Sequence, residues 1–336
     1  MAGSKELHLK VANRGKSGAI KKLPASVEIA AEGTIEQLQA SLSKQSGISD
    51  FNRIGIFDPR TRKIIRDRRA VLSQQENIVA SGEVLVQDLG PQIAWRTVFV
   101  VEYAGPLLIH VLFYFLRPSI PFLPASWSGG VKVDSTGSPT DVQTVTFVLF
   151  VLHFLKRELE TIFLHRFAAN TMPAFNIFRN SAFYWLLAGL ACSVSLYAPL
   201  SPMRLSFPLG STIASPPRSG FGSTPLDYAG LALFVVSELC NFRVHYHLAH
   251  LRKPGSTEKG IPSCIGTSLV TAPNYMFEVL AWVGVILISR DVTVVIFILV
   301  GISYMRSWSR DKERALRRLF PDKYKKKRYT MLPGLI

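Results

Sequence analysis

The segment VTAPNYMFEVLAW (270–282) places three polar side chains within an otherwise apolar stretch. An acid at bilayer depth costs a few kcal/mol and needs a partner or a wet cavity. Spacings of four and three residues put Asn274 and Tyr275 on the side of one helix that carries Glu278. A tyrosine hydroxyl, with an ordinary pKa of about 10, is protonated at neutral pH and can donate a proton. Either the segment holds a catalytic tyrosine, or Tyr275 and Trp282 are ordinary interfacial aromatic residues.

Charged residues also interrupt two other apolar segments. Glu102 lies within VFVVEYAGPLL, where it is either an acid at the membrane surface or a buried site carboxylate. Four charges fall within five residues of LHFLKRELETIFLHRF (152–167), namely Lys156, Arg157, Glu158 and Glu160. These four are either paired with one another at a membrane exit or line a cavity that faces the cytosol. Arg179 extends the basic character of this region.

A third polar region is ELCNFRVHYHLAHLRKPG (238–255). Helical spacing places Asn241 and His245 on one face, and Arg252 continues near it. The histidines His245, His247 and His250 raise the question of a metal, but no cysteine or carboxylate completes a ligand set, so we expect no metal. A positively charged pocket for an anionic ligand fits better, because a guanidinium binds two phosphate oxygens at once.

Basic residues are concentrated near the end of the chain. Eleven Lys and Arg lie between Arg306 and Arg328. The run KKKR (325–328) is explained by attraction to anionic lipid. A separate stripe repeats every four residues on the last predicted helix and suits a phosphate-bearing ligand; it consists of Arg306, Arg310 and Arg314.

The composition indicates a membrane domain joined to a small soluble domain. Of the 336 residues 48% are hydrophobic and 18% charged, and Lys and Arg exceed Asp and Glu by 16. The mean hydropathy of +0.22 averages a polar N-terminal part with apolar blocks of roughly twenty residues, the length that spans a bilayer. The three cysteines have no metal-site spacing, so we expect neither disulfides nor structural zinc.

Six apolar blocks predict six transmembrane helices. They lie near 97–116, 142–164, 181–200, 226–248, 268–288 and 291–306. The even-numbered connections are the more basic ones, which predicts that both termini face the cytosol. No signal-peptide pattern is visible in the first thirty residues, so we expect the first of these blocks to act as the signal anchor.

The N-terminal part predicts a small α+β domain. Alternation and turn residues predict strands within 6–13, 26–30, 53–65 (two strands joined by a turn at Asp58-Pro59) and 82–90. Thr34 and Gln37 form a capping-box pattern for a helix that ends at Gly47. The order β-β-α-β-β fits a β-grasp, ubiquitin-like domain over residues 1–90. It lacks a terminal Gly-Gly, which favours a docking module over a modifier; a generic small α+β cap is the competing interpretation.

Together these motifs resemble the very-long-chain trans-2-enoyl-CoA reductases of the steroid 5-alpha-reductase superfamily. The resemblance covers nearly the whole chain. It is carried by DLGPQIAWRTVFVVEYAGPLLIHVLFYF (88–115), LHFLKRELETIFLHRFAANTMPAFNIFRNSAFYW (152–185), NFRVHYHLAHLRKPG (241–255) and VTAPNYMFEVLAW (270–282). It implies an α-helical polytopic membrane protein of about six transmembrane helices, with a catalytic domain over 91–336 behind the ubiquitin-like domain.

The resemblance also implies an activity and its partners. Family members reduce the trans-2 double bond of a long-chain enoyl-CoA with NADPH, the last step of each fatty acid elongation cycle, in the endoplasmic-reticulum membrane. The expected partners are therefore the enoyl-CoA substrate, membrane lipid and the other elongation enzymes (elongase, ketoreductase, dehydratase). NADPH and CoA are polyanions, which accounts for the basic residues, and no nucleic-acid partner is expected.

Roles for individual residues follow from the same resemblance. Tyr275 matches the family's proton-donating tyrosine, and Glu102 matches the glutamate of EYAGP that completes the site. The residues expected to hold the nicotinamide nucleotide are Asn241, Arg252 and Asn274, with Arg157 and Arg179 as further phosphate partners. Arg306, from the arginine stripe on the last predicted helix, is added to these as a cofactor-binding candidate.

One departure from the family concerns the last helix. The family pattern W-A-x-x-K-H-x-x-Y reads WSRDKERAL (308–316) here, so Glu313 and Leu316 replace the usual His and Tyr. NADPH binding is then either weakened or, in a divergent non-catalytic paralogue, lost. Two further activities stay open: reduction of a steroid or polyprenol-type enone, and methyl transfer by a membrane enzyme that uses S-adenosylmethionine.

Overall fold

The computed structural model describes residues 6–116, 138–167, 171–197, 201–205, 212–215, 220–251 and 260–335. The chain divides into two compact units. The first comprises Met1–Val98 with Phe167–Ile177, and the second Phe99–Arg166 with Phe178–Ile336.

The first unit is built on a four-stranded mixed sheet. Its strands are β1 (Glu6–Asn13), β2 (Ser26–Ala30), β3 (Ile54–Phe57) and β4 (Glu83–Asp88), in the spatial order β2-β1-β4-β3. The central pair β1 and β4 is parallel, and both outer pairs are antiparallel. Helix α1 (Ile35–Ser46) packs its apolar face on this sheet through the buried side chains Ile35, Leu38 and Leu42. A short helix α2 (Glu76–Ser81) precedes β4.

The predicted helix boundaries are confirmed by the capping contacts. The Thr34 hydroxyl accepts from the Gln37 backbone N–H at 3.3 Å, and the Gln37 side chain accepts from the Thr34 N–H at 2.9 Å. Gly47 ends the helix with a φ of 73°, a left-handed conformation that glycine adopts without a steric penalty.

The predicted strand after Asp58-Pro59 is reduced to one isolated bridge between Phe57 and Ile64. The Asp58 carboxylate accepts from two backbone N–H groups of the turn, and Arg62 has a φ of 54°. A left-handed residue interrupts an extended strand. The prediction of a full second strand in this hairpin is therefore wrong.

The second unit is helical. Its helices are α3 (Trp95–Leu116), α4 (Asp141–Leu159), α5 (Asn176–Ala182), α6 (Cys192–Tyr197), α7 (Pro225–His250), α8 (Pro273–Ser289) and α9 (Val292–Leu319), of which α3 and α5 begin in the first unit. A π-helical turn, Glu160–Leu164, extends α4, and a π-helical stretch, Phe183–Ala191, joins α5 to α6. Two short strand pairs complete the described chain: β5 (Gln92–Ala94) with β6 (Thr171–Pro173) in the first unit, and β7 (Ser201–Leu205) with β8 (Thr212–Ser215) in the second.

Within the described residues each of the six apolar blocks overlaps an α-helical or π-helical segment. Two helices in the described part of the chain are both long and apolar enough to cross a bilayer, α3 and α9, while α8 is apolar but shorter. The chain is thus mostly helical with two candidate membrane spans, and six spans remain a prediction.

Helices α7 and α8 approach each other closely, which lets polar side chains of the two helices, such as Asn241 and Glu278, meet. A Cβ atom added to Gly230 of α7 would lie 2.7 Å from the Gly284 carbonyl oxygen of α8, and one added to Gly284 would lie 2.6 Å from the Gly230 oxygen. Only residues without a side chain allow this contact. On another side of α8, Trp282 is buried against Phe150 of α4, with ring centroids 5.0 Å apart.

Candidate active site

Helices α4, α7 and α8 bring oppositely charged side chains together inside the second unit. His153 of α4 lies between two carboxylates: its Nδ1 is 2.6 Å from Glu238 of α7, and its Nε2 is 3.2 Å from Glu278 of α8. Lys156, one turn further along α4, places its Nζ 2.5 Å from the second oxygen of Glu238. A buried charge is tolerated where it is paired and hydrogen-bonded. These contacts therefore let the second unit carry two carboxylates that are less than a fifth exposed.

Asn241 links the same three helices and is 1% exposed. Its Nδ2 donates to the backbone carbonyl oxygen of Asn274 at 2.9 Å and to Glu278 at 3.3 Å, while its Oδ1 accepts from Lys156 at 2.6 Å. The Asn274 carbonyl belongs to the first turn of α8. Asn241 thus holds the start of α8 against α7 and α4.

Arg157 is engaged by partners within the protein. Its Nη2 donates to the Tyr103 hydroxyl of α3 at 2.9 Å, and its Nη1 lies 2.8 Å from Glu160 and 3.2 Å from His245 Nδ1. The guanidinium carbon is also 5.0 Å from the centre of the Tyr103 ring. These contacts hold one positive charge at a defined position between α3, α4 and α7.

Tyr275 occupies the first turn of α8, which Pro273 begins. Proline suits this position because its missing N–H has no partner there in any helix. The Tyr275 ring lies 6.4 Å from that of Trp308 on α9. Within the described ranges no side chain or backbone group hydrogen-bonds the Tyr275 hydroxyl, so it is available to a bound molecule.

Glu102 is buried, with 1% of its surface exposed, so the interpretation as an acid at the surface is wrong. Its Oε1 atom has no hydrogen-bond partner among the residues described. Glu102 precedes Tyr103, the residue that holds Arg157, on the same turn of α3.

The other predicted phosphate partners lie apart from this network. Arg179 and Arg306 are exposed and make no side-chain hydrogen bond to it in the described part of the chain. Arg252 lies outside the described residues.

The histidines of α7 do not form a cluster of their own. His245 is buried next to Glu160 and Arg157, His247 accepts from the Ser263 N–H at 3.1 Å, and His250 contacts the backbone carbonyl of Tyr246.

A different triad offers candidate metal ligands: Glu160, His165 and His245 have ligand atoms within 4.8 Å of one another. The Arg157 guanidinium lies within hydrogen-bonding distance of both Glu160 and His245 and competes with a cation for the same lone pairs.

Several groups of this network are not among the predicted site residues. His153 and Glu238 lie three residues before Lys156 and Asn241, so the sequence places each pair on a shared helix face. Tyr103 directly follows Glu102 and points away from it, so the spacing gives no such signal for Tyr103. Which faces pack together depends on contacts between helices more than fifty residues apart in the chain, such as Arg157 with Tyr103.

The chain is similar in sequence to several known proteins. The family model of 3-oxo-5-alpha-steroid 4-dehydrogenase matches residues 170–336. The "Very-long-chain enoyl-CoA reductase" of Dictyostelium discoideum is 33% identical over 324 residues, which cover 94% of this chain and 96% of that protein. The "Probable very-long-chain enoyl-CoA reductase art-1" of Caenorhabditis elegans is 38% identical over 257 residues, 75% of each chain. Near-complete coverage at this identity confirms the resemblance found in the sequence motifs, and the chain belongs to the very-long-chain enoyl-CoA reductase family.

Proposed function

We propose that this protein reduces the trans-2 double bond of long-chain enoyl-CoA with NADPH, as the last step of a fatty acid elongation cycle. The names of its relatives support the substrate class. The structural observation that carries the proposal is the Tyr275 hydroxyl, which has no hydrogen-bond partner among the described residues and lies on a helix turn that Asn241 holds in place.

The residues present fit a nicotinamide cofactor. The side-chain oxygens Asn274 Oδ1 and Glu102 Oε1 are buried and have no partner among the described residues. Buried acceptors are nearly always hydrogen-bonded, and a carboxamide or hydroxyl of a bound nucleotide would supply the missing donors. Asn274 would contact the cofactor directly. Asn241 would hold Asn274 in position through its hydrogen bond to the Asn274 backbone carbonyl.

The phosphate groups of the cofactor require basic residues. We assign them to Arg252, Arg179 and Arg306, of which the last two are exposed and uncommitted to the network. The Arg157 guanidinium already donates to Tyr103 and Glu160, so we assign it no direct phosphate contact. It contributes its positive charge to the site.

The chemistry divides between the cofactor and the chain. When bound, NADPH supplies a hydride to the β-carbon of the enoyl thioester. Tyr275 then donates its hydroxyl proton to the α-carbon, so that the O–H bond breaks as the C–H bond forms. The phenolate left on Tyr275 is stabilised by the fixed charge of Arg157, and solvent returns the proton. Glu102 completes the site as a hydrogen-bond acceptor for the bound molecules.

The chain would cross the endoplasmic-reticulum membrane six times with both termini in the cytosol. The acyl chain would lie among the helices, and the elongase, ketoreductase and dehydratase of the cycle would be its partners. The sheet and helix of residues 1–90 would form a ubiquitin-like docking domain.

The proposal is tested with detergent-solubilised protein, NADPH and a long-chain trans-2-enoyl-CoA. We expect NADPH consumption matched by saturated acyl-CoA in the mass spectrum. A parallel reaction with a steroid 4-en-3-one tests the second candidate function, which the steroid activity named for the matching family model favours. Reduction of the steroid without reduction of the enoyl-CoA would contradict the proposal, and so would product formation that is independent of NADPH.

A further inference from the structure

The end of the chain folds back onto the start of α8. The backbone N–H of Ala272 donates to the Thr330 carbonyl at 2.9 Å, and Val270 forms a parallel bridge with Tyr329. Met331 is fully buried in the hydrophobic core of the second unit. Residues 320–332, here named the C-terminal strap, thus run alongside the residues that lead into α8.

Glu313 of α9 ties this strap to both helices. Its carboxylate accepts from the Thr271 hydroxyl, from the Tyr324 hydroxyl at 2.5 Å and from the Lys327 backbone N–H at 3.3 Å. Glu313 is 4% exposed, Thr271 3% and Tyr324 8%. Three donors from the residues before α8 and from the strap thus converge on one carboxylate of α9, which links these segments.

The strap is connected to Tyr275 by two backbone steps. The Ala272 carbonyl accepts from the Tyr275 N–H at 3.1 Å, while the Ala272 N–H is held by Thr330. Asn241 of α7 holds the neighbouring Asn274 carbonyl. The start of α8 is therefore held by two separate contacts, one from α7 and one from the strap.

We infer that Glu313 is a positioning residue for Tyr275. Glu313 acts on Tyr275 through the C-terminal strap and Thr271. This inference rests on the proposed function. Glu313 stands where the family usually has His. Under this inference its role is to hold the proton donor Tyr275 in place, and it does not contact NADPH.

The state of Tyr324 is consistent with this inference. Burial, together with the hydrogen bond to Glu313, raises the pKa of Tyr324 to about 12. The phenol therefore stays protonated at neutral pH and continues to donate to the carboxylate.

The test compares Glu313→Gln with Tyr324→Phe and with their double variant. Glutamine keeps the size of the side chain but removes its charge and turns an N–H donor toward the Lys327 N–H. We expect kcat to fall about tenfold in Glu313→Gln, which corresponds to about 1.4 kcal/mol in activation free energy, with KM for NADPH and for enoyl-CoA within about twofold. Tyr324→Phe should reduce kcat less than Glu313→Gln does. The reduction of kcat in the double variant should be smaller than the product of the two single reductions, because both substitutions remove the same contact.

Asp311→Asn is the matched control. Asp311 lies two residues away on α9, and its carboxylate pairs only with the exposed Arg314 within the described chain. This variant should keep the kcat of the unmodified protein.

Hydrogen exchange gives a second readout that needs no activity. Peptides covering Thr271–Met276 should exchange faster in Glu313→Gln than in Asp311→Asn, with unchanged exchange in α3. Unchanged kcat together with unchanged exchange would overturn the inference, and so would a raised KM for NADPH at normal kcat. If Glu313→Gln fails to fold, Tyr324→Phe alone decides by the same two measurements. If the unmodified protein lacks reductase activity, the proposed function fails, and exchange still decides whether Glu313 holds the first turn of α8.

Discussion

The side-chain amide of Asn241 on α7 donates to the backbone carbonyl of Asn274 on α8 over 2.9 Å. The carbonyl stands directly before Tyr275 in the chain. A side chain of one helix thus fixes the backbone from which the proposed proton donor projects.

Replacement of Asn241 by Leu should weaken both stability and activity. Leucine has a similar size but leaves Lys156 Nζ and the Asn274 carbonyl each short of one partner, and an unsatisfied buried group costs about 1–3 kcal/mol. We expect a lower thermal unfolding midpoint in detergent and at least a tenfold lower kcat. Arg243→Gln, an exposed change on the same helix, should leave the midpoint unchanged. An Asn241→Leu protein as stable and active as the unmodified one would show that this contact does not position α8.

Tyr275→Phe should remove most turnover while NADPH still binds. Phenylalanine fills the same space but has no proton to donate, and general acid catalysis contributes about 10²–10⁴-fold. Turnover is measured as saturated acyl-CoA, and cofactor binding by equilibrium titration. Tyr246→Phe, at an exposed tyrosine of α7, is the control. Near-normal turnover by a well-folded Tyr275→Phe protein would exclude Tyr275 as the donor.

Arg157→Lys should destabilise the second unit although the charge is kept. Lysine has one ammonium group and cannot reach the Tyr103 hydroxyl, Glu160 and His245 together in the geometry of a planar guanidinium. A hydrogen bond to a charged group contributes about 1.5–3 kcal/mol, so loss of one or two of them lowers stability measurably. The denaturation midpoint in detergent measures this loss, with Arg318→Lys on the exposed end of α9 as the control. Equal midpoints for the two variants would mean that the charge alone matters.

The first unit should lose stability in acid through Asp88. Arg53 donates to this carboxylate at 2.5 and 3.1 Å, and this hydrogen bond lowers the pKa of Asp88 below its ordinary value. The folded pKa is thus below the unfolded value of about 3.9. The contribution is fully present above about pH 4 and is lost as the pH falls through the folded pKa.

Hydrogen exchange of β3 and β4 peptides, corrected for the intrinsic rate at each pH, measures this loss. Asp88→Asn should flatten the acid dependence of the full-length protein, whereas Glu32→Gln, at an exposed acid of the same unit, should not. An identical acid response in Asp88→Asn would assign the loss to other groups.

The N-terminal elements were the most predictable part of the chain. The helix from Ile35 to Ser46 was delimited by its own caps, Thr34 with Gln37 and Gly47, which are contacts within a few residues. The apolar pattern after Asp58 predicts a longer strand than the structure has. The left-handed Arg62 interrupts the extended backbone there, and a pattern of apolar residues does not indicate such a backbone angle.

The candidate site was predictable in its residue types but only partly in its partners. Asn274, Tyr275 and Glu278 were recognisable as polar groups within an apolar segment, and Glu102 as an acid of undecided burial. That Glu278 is bound by His153, and Glu102 buried, depends on how α3, α4, α7 and α8 pack.

Sequence alone determined the family, the apolar blocks and the presence of ionisable groups where lipid-facing residues would be expected. It did so because hydrophobic periodicity, helix caps and motifs are local properties of the chain. Only the tertiary structure decided which charges neutralise one another, that Asn241 holds the first turn of α8, and that Glu313 binds the C-terminal strap. Those outcomes depend on hydrogen bonds of about 3 Å between residues distant in sequence, and packing alone sets such distances.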